Sequence, residues 1–200
     1  MNYKRLFDLS ISIIGLMVLI IPLTCVCFII SLLLKSNPIF TQLRMGRNHQ
    51  EIRVYKLKTL NERRDECGIL LSDELRATKF GTILRNYSID ELPQLINVIL
   101  GNMSLVGPRP LLLEYRGKYT SFQDQRHQVK PGITGLSQIR GRNSVTWRQK
   151  FAHDVWYVKN RTFRLDIWII WQTMHHVIAK KGVSPKNRFT SERFDKKKDT

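Results

Sequence analysis

The chain has 200 residues, with 33 Lys and Arg against 16 Asp and Glu, a formal net charge of +17. Its 42% hydrophobic and 24% charged content excludes a disordered chain, and 11 Gly with 7 Pro exclude a collagenous or linker-like one. Three cysteines cannot build a disulfide scaffold, which points to a reducing compartment. The charge implies an anionic partner: nucleic acid, an anionic lipid surface or a phosphorylated small molecule.

The first feature in chain order is apolar. Leu9 to Leu34 carries no charge and is bracketed by Asp8 and Lys35. As a straight helix it would measure ~39 Å, more than the ~30 Å of a bilayer's hydrocarbon. The run is too long for a typical signal-peptide core and no small-x-small cleavage site follows it, so it reads as a membrane anchor. Pro22 sits near its middle, where a kink or break is expected. Cations flank both ends, with the excess downstream (Lys35, Arg44, Arg47, Arg53), which puts the soluble part on the cytoplasmic side. The residues leave two topologies open, a kinked span and a re-entrant helix that returns on one face.

Three cations against Asp8 put +2 on residues 1–36, leaving +15 for residues 37–200. Of this, +5 falls on the polar tail from Lys180 onward. Attraction of such a domain to anionic headgroups is a sufficient bland account of most of the charge.

Along the soluble part, a loop is expected from Pro38 to Phe40, then a half-buried strand over Ile52 to Lys58, where apolar and polar residues alternate. Residues 70–86 read as loop and helix interrupted at Gly81. A compact helix is expected over 88–100, closed by Gly101-Asn102. Gly107-Pro-Arg-Pro110 has to be irregular, because two prolines deny both helix and central strand. A helix is expected over 111–128, an extended piece around Ile133–Ile139, and helices over 147–160 and 163–180. The last of these carries an apolar stripe of Ile167, Ile170, Trp171, Met174, Val177 and Ile178, which suits either a core helix or an interfacial one. The fold class is α+β, mainly helical, with an anchor over 1–36 and one domain over 37–200.

No phosphate-binding or dinucleotide glycine loop is present, and the cysteines cannot assemble a zinc cluster. His49, His127, His153, His175 and His176 lack the spacing of a helical metal pair and read as surface or core residues. What remains is Asp90-Glu91. Spacing alone favours helix capping, with Asp90 as N-cap or Ser88 and Glu91 as a capping box. Against that stand the cations Lys56, Lys58, Arg85 and Arg109. An ionised Asp among cations can attack phosphorus, and a neighbouring carboxylate can hold Mg²⁺, so Asp90 and Glu91 are candidate metal ligands as well as catalytic groups.

These residues lie in runs that resemble the bacterial sugar transferase family, the small monotopic polyprenyl-phosphate phosphoglycosyl transferases. The runs are Phe40-Thr-Gln-Leu-Arg-Met-Gly-Arg47, Tyr55-Lys-Leu-Lys-Thr-Leu60, Leu84-Arg-Asn-Tyr-Ser-Ile-Asp-Glu-Leu-Pro-Gln-Leu95, Gly107-Pro-Arg-Pro110 and Lys130-Pro-Gly-Ile-Thr-Gly-Leu-Ser-Gln138. The resemblance implies that Asp90 attacks the β-phosphorus of a UDP-sugar, expels UMP, and passes the phosphosugar to undecaprenyl phosphate. Glu91 would assist through Mg²⁺, Lys56, Arg85 and Arg109 would hold phosphates, and Pro108 and Pro110 would shape the nucleotide side. It also implies a re-entrant anchor broken at Pro22, a bacterial inner-membrane enzyme with its catalytic domain on the cytoplasmic face, and a first membrane step of glycoconjugate assembly. Ile21 stands where the family often has Ser, and Leu57 and Leu60 replace the usual Phe and Met. An N-acetylated, bacillosamine-type sugar is expected, with Gln138 and Arg142 (beside Asn143 and Trp147) as sugar-side residues. The competing class is a non-enzymatic, membrane-tethered basic protein binding nucleic acid or anionic lipid. Gly132-Ile-Thr-Gly135 faintly resembles the GXXG loop of KH domains, but no aromatic platform accompanies it, and no nucleic-acid partner is expected.

Overall fold

A computed structural model describes residues 3–141, 145–179 and 194–195. Helix α1 (Tyr3–Leu34) runs for 32 residues, about 48 Å at ~1.5 Å per residue. Its most apolar window has a mean hydropathy of 3.0 and is only 6% buried. The break expected at Pro22 does not interrupt the helix, which continues through it, and in the next turn Thr24 Oγ1 donates to the Ile20 carbonyl at 2.7 Å.

Both halves of α1 touch the rest of the chain. Phe7, Leu16 and Leu19 pack on the main core, and Leu23, Val26, Ile30 and Leu34 pack with Leu57 and Leu84. Polar contacts secure the N-terminal turns: Lys4 Nζ pairs with Asp166 Oδ2 at 2.7 Å, and Ser104 Oγ donates to Asp8 Oδ2 at 2.7 Å. Arg5 donates to the carbonyls of Val98 and Ile99.

After the anchor, β1 (Ile39–Met45) and β2 (Glu51–Leu57) form an antiparallel hairpin that pairs Ile39 with Leu57 and Phe40 with Lys56. The expected loop after Pro38 is therefore a strand. Ile39, Phe40 and Thr41 are strand formers, and pairing with β2 supplies the backbone partners that the segment alone lacks. A single turn at Arg47–His49 closes the hairpin, with Asn48 and His49 in the left-handed region.

The next elements are α2 (Asp73–Arg76) and α3 (Lys79–Asn86). Thr78 caps α3 by accepting from the Gly81 amide. Gly81 does not interrupt the helix. It lets α3 touch the preceding backbone, since a Cβ there would lie 2.0 Å from the Thr59 carbonyl oxygen. The expected helix over 88–100 is instead divided into a 3₁₀ turn (Ile89–Glu91) and α4 (Gln94–Ile99), with Pro93 at the junction as N-cap. Proline has no amide hydrogen to continue the helical bonding, so α4 starts after it.

β3 (Ser104–Val106) pairs in parallel with β4 (Gly132–Thr134). Between them the expected helix over 111–128 is only short turns: Leu113–Tyr115, α5 (Ser121–Asp124) and Gln125–Gln128. Gly117, at φ 78°, stops the first, and a capping box of Thr120 and Gln123 starts the second. The extended piece expected around Ile133–Ile139 ends at Thr134, where α6 (Leu136–Ile139) takes over.

α7 (Trp147–Asn160) and α8 (Phe163–Ile178) form as the periodicity predicts, each begun by a threonine cap. α8 buries Asp166 and Ile169 and exposes Phe163, Ile167, Trp168, Trp171, Met174 and Ile178. The apolar stripe is thus mostly an outer face, which excludes the core-helix reading.

The main core joins β2, α4, β3, α6, α7 and α8 through Ile52, Val54, Leu95, Val98, Met103, Leu105, Leu136, Tyr157 and Ile169. One polar side chain lies deep in this region. Asn97 is fully buried, accepts the Tyr55 amide at 3.1 Å and donates to the Arg53 carbonyl at 2.6 Å, fixing α4 to β2. Asn97→Ala leaves both β2 groups without partners, and we expect a loss of about 2 kcal/mol, read as a lower Tm in detergent.

Candidate active site

The site is assembled from three segments that the fold brings together. β2 contributes Lys56, the 3₁₀ turn contributes Asp90 and Glu91, and the loop after β3 contributes Arg109. Glu91 Oε1 lies 2.6 Å from Lys56 Nζ and 2.6 Å from Arg109 Nη2, and Arg109 Nη1 donates to Glu91 Oε2 at 3.2 Å. The Arg109 fork is thus bidentate, the strongest form of carboxylate pairing. Ser88, at φ 54°, makes the sharp entry to the turn, and neither Ser88 nor Pro93 supplies a side-chain cap. The capping reading therefore fails: Asp90 lies within the 3₁₀ turn, and Glu91 is committed to cations.

The two carboxylates have opposite electrostatics. Burial favours a neutral Glu91, but Arg109 and Lys56 outweigh it and hold Glu91 far below the usual carboxylate range. Asp90, also buried, is pushed up to about 6 by burial and by the negative charge of Glu91, against the pull of Lys56, Arg85 and Arg109. Glu91 in turn raises Arg109, whereas burial lowers Lys56. Such divergence within one acidic pair is a mark of a functional site.

The surroundings position these groups. Arg85 Nε donates to Thr59 Oγ1 at 2.8 Å, next to the carbonyl that Gly81 approaches. Gly107, Gly132 and Gly135 cross so closely that a Cβ on Gly132 would lie 2.1 Å from the Gly107 nitrogen. That crossing fixes the turn through Pro108 and Pro110, both of which line a small cavity with Arg109 and Arg126. Arg126 is buried, pairs with Asp154 Oδ2 at 2.8 Å and donates to the Arg109 carbonyl at 2.6 Å. Ser137 completes the network by donating to Asp154 Oδ1 at 2.7 Å.

The sugar-side residues fare differently. The Gln138 side-chain amide donates to the Ile133 carbonyl at 3.0 Å, from α6 back to the adjoining β4. Arg142 and Asn143 lie outside the described residues. Trp147 is buried in an aromatic cluster with Tyr115, Phe151 and Phe194, so it is a packing residue. Gly132 to Gly135 is largely buried against Gly107. Arg44 is a residue that sequence reasoning missed. Its guanidinium lies 3.4 Å from the Pro110 carbonyl, and burial, with Arg109 beside it, lowers it to about 10. Its only sequence signal was its place in the run from Phe40 to Arg47.

An acidic pair ringed by cations, beside a long apolar helix, is the arrangement of an enzyme that handles phosphate esters. The chain belongs to the bacterial sugar transferase family, whose profile matches residues 1–180. It is 46% identical over 194 residues to the uncharacterized sugar transferase EpsL of Bacillus subtilis, covering 97% of this chain and 96% of that one. It is 36% identical over 184 residues to the UDP-glucose:undecaprenyl-phosphate glucose-1-phosphate transferase of Klebsiella pneumoniae, covering 87% of this chain and 40% of that one. A third relative is the UDP-N-acetylgalactosamine-undecaprenyl-phosphate N-acetylgalactosaminephosphotransferase of Aeromonas hydrophila, 31% identical over 188 residues, with 90% and 44% covered. The chain thus spans less than half of the latter two.

The Asp90 environment makes two predictions. Asp90 takes up its proton near pH 6, so a reaction that needs its carboxylate ionised should lose kcat/KM below that pH. The second concerns stability. A carboxyl raised from 3.8 to about 6 binds its proton more tightly in the folded state, so its contribution is fully present below pH 3.8 and lost as pH rises through 6. At pH 7.5 the ionised Asp90 is therefore a net cost, and Asp90→Asn should raise stability by up to about 3 kcal/mol. The gain should vanish near pH 4. Paired thermal melts of the two proteins at each pH check it.

Proposed function

We propose that this chain transfers a sugar-1-phosphate from a UDP-sugar to undecaprenyl phosphate and releases UMP. The observation that carries the reading is the division of the dyad: Glu91 is fixed by Lys56 and Arg109, while Asp90 is buried beside it in the same cationic site. Family membership and the names of the Klebsiella and Aeromonas relatives agree with it.

In the proposed reaction an Asp90 carboxylate oxygen bonds to the β-phosphorus of the UDP-sugar. The bond from that phosphorus to the bridging oxygen breaks, and UMP departs with the electron pair. An oxygen of undecaprenyl phosphate then attacks the phosphosugar–Asp90 ester, the ester bond breaks, and the Asp90 carboxylate is restored. Lys56, Arg85 and Arg109 supply positive charge for the phosphates, and the rigid Pro108-Arg109-Pro110 turn borders the nucleotide. The donor chemistry of Asp90 and Glu91, two adjacent carboxylates of which Asp90 is held up by burial and by the charge of Glu91, fits Mg²⁺. When bound, Mg²⁺ would neutralise phosphate oxygens and ease the approach of one anion to another. The sugar in this reading is N-acetylated and bacillosamine-like.

The anchor reading is a re-entrant, monotopic helix with the catalytic part on the cytoplasmic face, in which any return is made by a bend at Pro22 within a continuous helix. It is supported by contacts at both ends of α1, since Lys4 to Asp8 and Ile30 to Leu34 meet the same domain. A straight perpendicular span would carry one of those ends away from it. Exposed Ile96, Leu100, Trp168 and Trp171 extend the apolar surface toward lipid, and the surplus Lys and Arg suit anionic headgroups.

UMP release from UDP-sugars with undecaprenyl phosphate and Mg²⁺ tests the reaction. Asp90→Asn should lower it on the order of 10³-fold or more and abolish a trappable sugar-phosphate adduct at this position. Undiminished turnover in the variant would refute the role. For the anchor, a tag at residue 1 should resist labelling from outside intact cells.

A further inference from the structure

Away from the dyad, the fold brings together two histidines and an aspartate from distant parts of the chain. His49 lies on the turn that closes the β1–β2 hairpin. Asp124 and His127 lie one turn apart, where α5 runs into the Gln125–Gln128 turn. His49 Nε2 is 3.0 Å and His127 Nδ1 is 3.2 Å from the same Asp124 oxygen, Oδ1. The ligand atoms of the three side chains all lie within 4.8 Å of one another. Donors around a tetrahedral ion with bonds of about 2.0 Å stand about 3.3 Å apart. The two histidine–aspartate separations already match that spacing, and the widest pair, at no more than 4.8 Å, closes to it by side-chain movement of at most about 1.5 Å.

Both rings turn one nitrogen toward a single carboxylate oxygen, so with both rings neutral each commits its N–H to Asp124 Oδ1. An ion would take the lone pairs of those same two nitrogens and replace two hydrogen bonds that compete for one oxygen. The opposite ring nitrogens, His49 Nδ1 and His127 Nε2, are buried without hydrogen-bond partners and stay outside the donor set. His49 itself holds a positive φ of 60°, a conformation that needs support from its surroundings.

We propose that His49, Asp124 and His127 form a site for a divalent transition ion, zinc in the first instance, separate from the oxygen-only dyad. Two imidazole nitrogens with one carboxylate oxygen select zinc, cobalt or nickel rather than magnesium. The side chains of His49 and Asp124 are 36% and 46% exposed, which provides an entry path and room for water to complete the coordination. The ion pins the hairpin turn to the segment whose Arg126 supports the Arg109 carbonyl, and so braces the phosphate-binding turn from behind.

The test uses the full chain in detergent, carried on a tag without histidine, stripped with a chelator and titrated with Zn²⁺ against a chromophoric competitor. The expected result is one ion per chain with a micromolar or tighter Kd, weakened at least ten-fold in both His49→Ala and His127→Gln. Co²⁺ should give visible ligand-field bands that both variants lose. The double variant Asp90→Asn/Glu91→Gln should bind Zn²⁺ like the parent, which separates this site from the dyad. His49 is on a partly exposed turn, and thermal melts verify that its variant is folded. The proposal is overturned if the parent binds no ion in this range, if both histidine variants retain it, or if the dyad variant loses it.

Discussion

The partly buried ion triad of Glu91 with Lys56 and Arg109 is the constraint on which the rest of the site depends. A buried carboxylate is tolerable only when its cations are delivered with good geometry, and removing one partner leaves an expensive unpaired charge. The three residues come from a strand, a 3₁₀ turn and an irregular loop, so nothing local brings them together. Asn97 fixes α4 to β2 behind Lys56, and the crossing of Gly107 with Gly132 and Gly135 sets the path of the Arg109 loop. Arg126 grips that loop by a backbone carbonyl. With Glu91 so committed, its negative charge acts on Asp90 at close range, and the two carboxylates acquire different protonation behaviour.

Much of this was legible in the sequence where local physics dominates. The anchor, α7, α8, β2 and the irregular Pro108–Pro110 turn follow from apolar runs, periodicity, alternation and proline chemistry. The identities of Asp90, Glu91, Lys56 and Arg109 followed from ordered motifs. What escaped was set by tertiary contact. β1 becomes a strand because β2 lies beside it. The division of the 88–100 segment at Pro93 is the local exception, a proline effect that one continuous helix passes over. Trp147 faces inward because Phe151 and Phe194 surround it. His49 meets Asp124 and His127 across a long stretch of chain, so no spacing rule could find that cluster. Capping looked the better account of Asp90-Glu91 by spacing, and only the positions of Lys56 and Arg109 in space overturn it.

The charge excess and the apolar surface now divide into separate tasks. A few cations, Lys56, Arg85, Arg109 and Arg44, are concentrated around the dyad. The exposed faces of α1 and α8 are apolar and aromatic, with Trp168 covered on one side by Arg140. Such a surface is unsuited to water alone and well suited to the boundary between headgroups and acyl chains. The acidic dyad and the greasy face thus occupy one small domain, as an enzyme joining a water-soluble donor to a lipid acceptor requires.

The grip of Arg5 on the last carbonyls of α4 has a further consequence. α4 follows directly from the turn that carries Asp90 and Glu91, and its C-terminal end is neutralised by a residue of the anchor. Asp8 and Lys4 reach into the same interior through Ser104 and Asp166. The hydrophobic helix is therefore a structural wall of the catalytic domain as well as its tether. Cutting it away to make a soluble fragment would open the core beside the dyad and strip a counter-charge from the helix behind it. Solubility in this enzyme cannot be obtained by truncation without dismantling the architecture of the site.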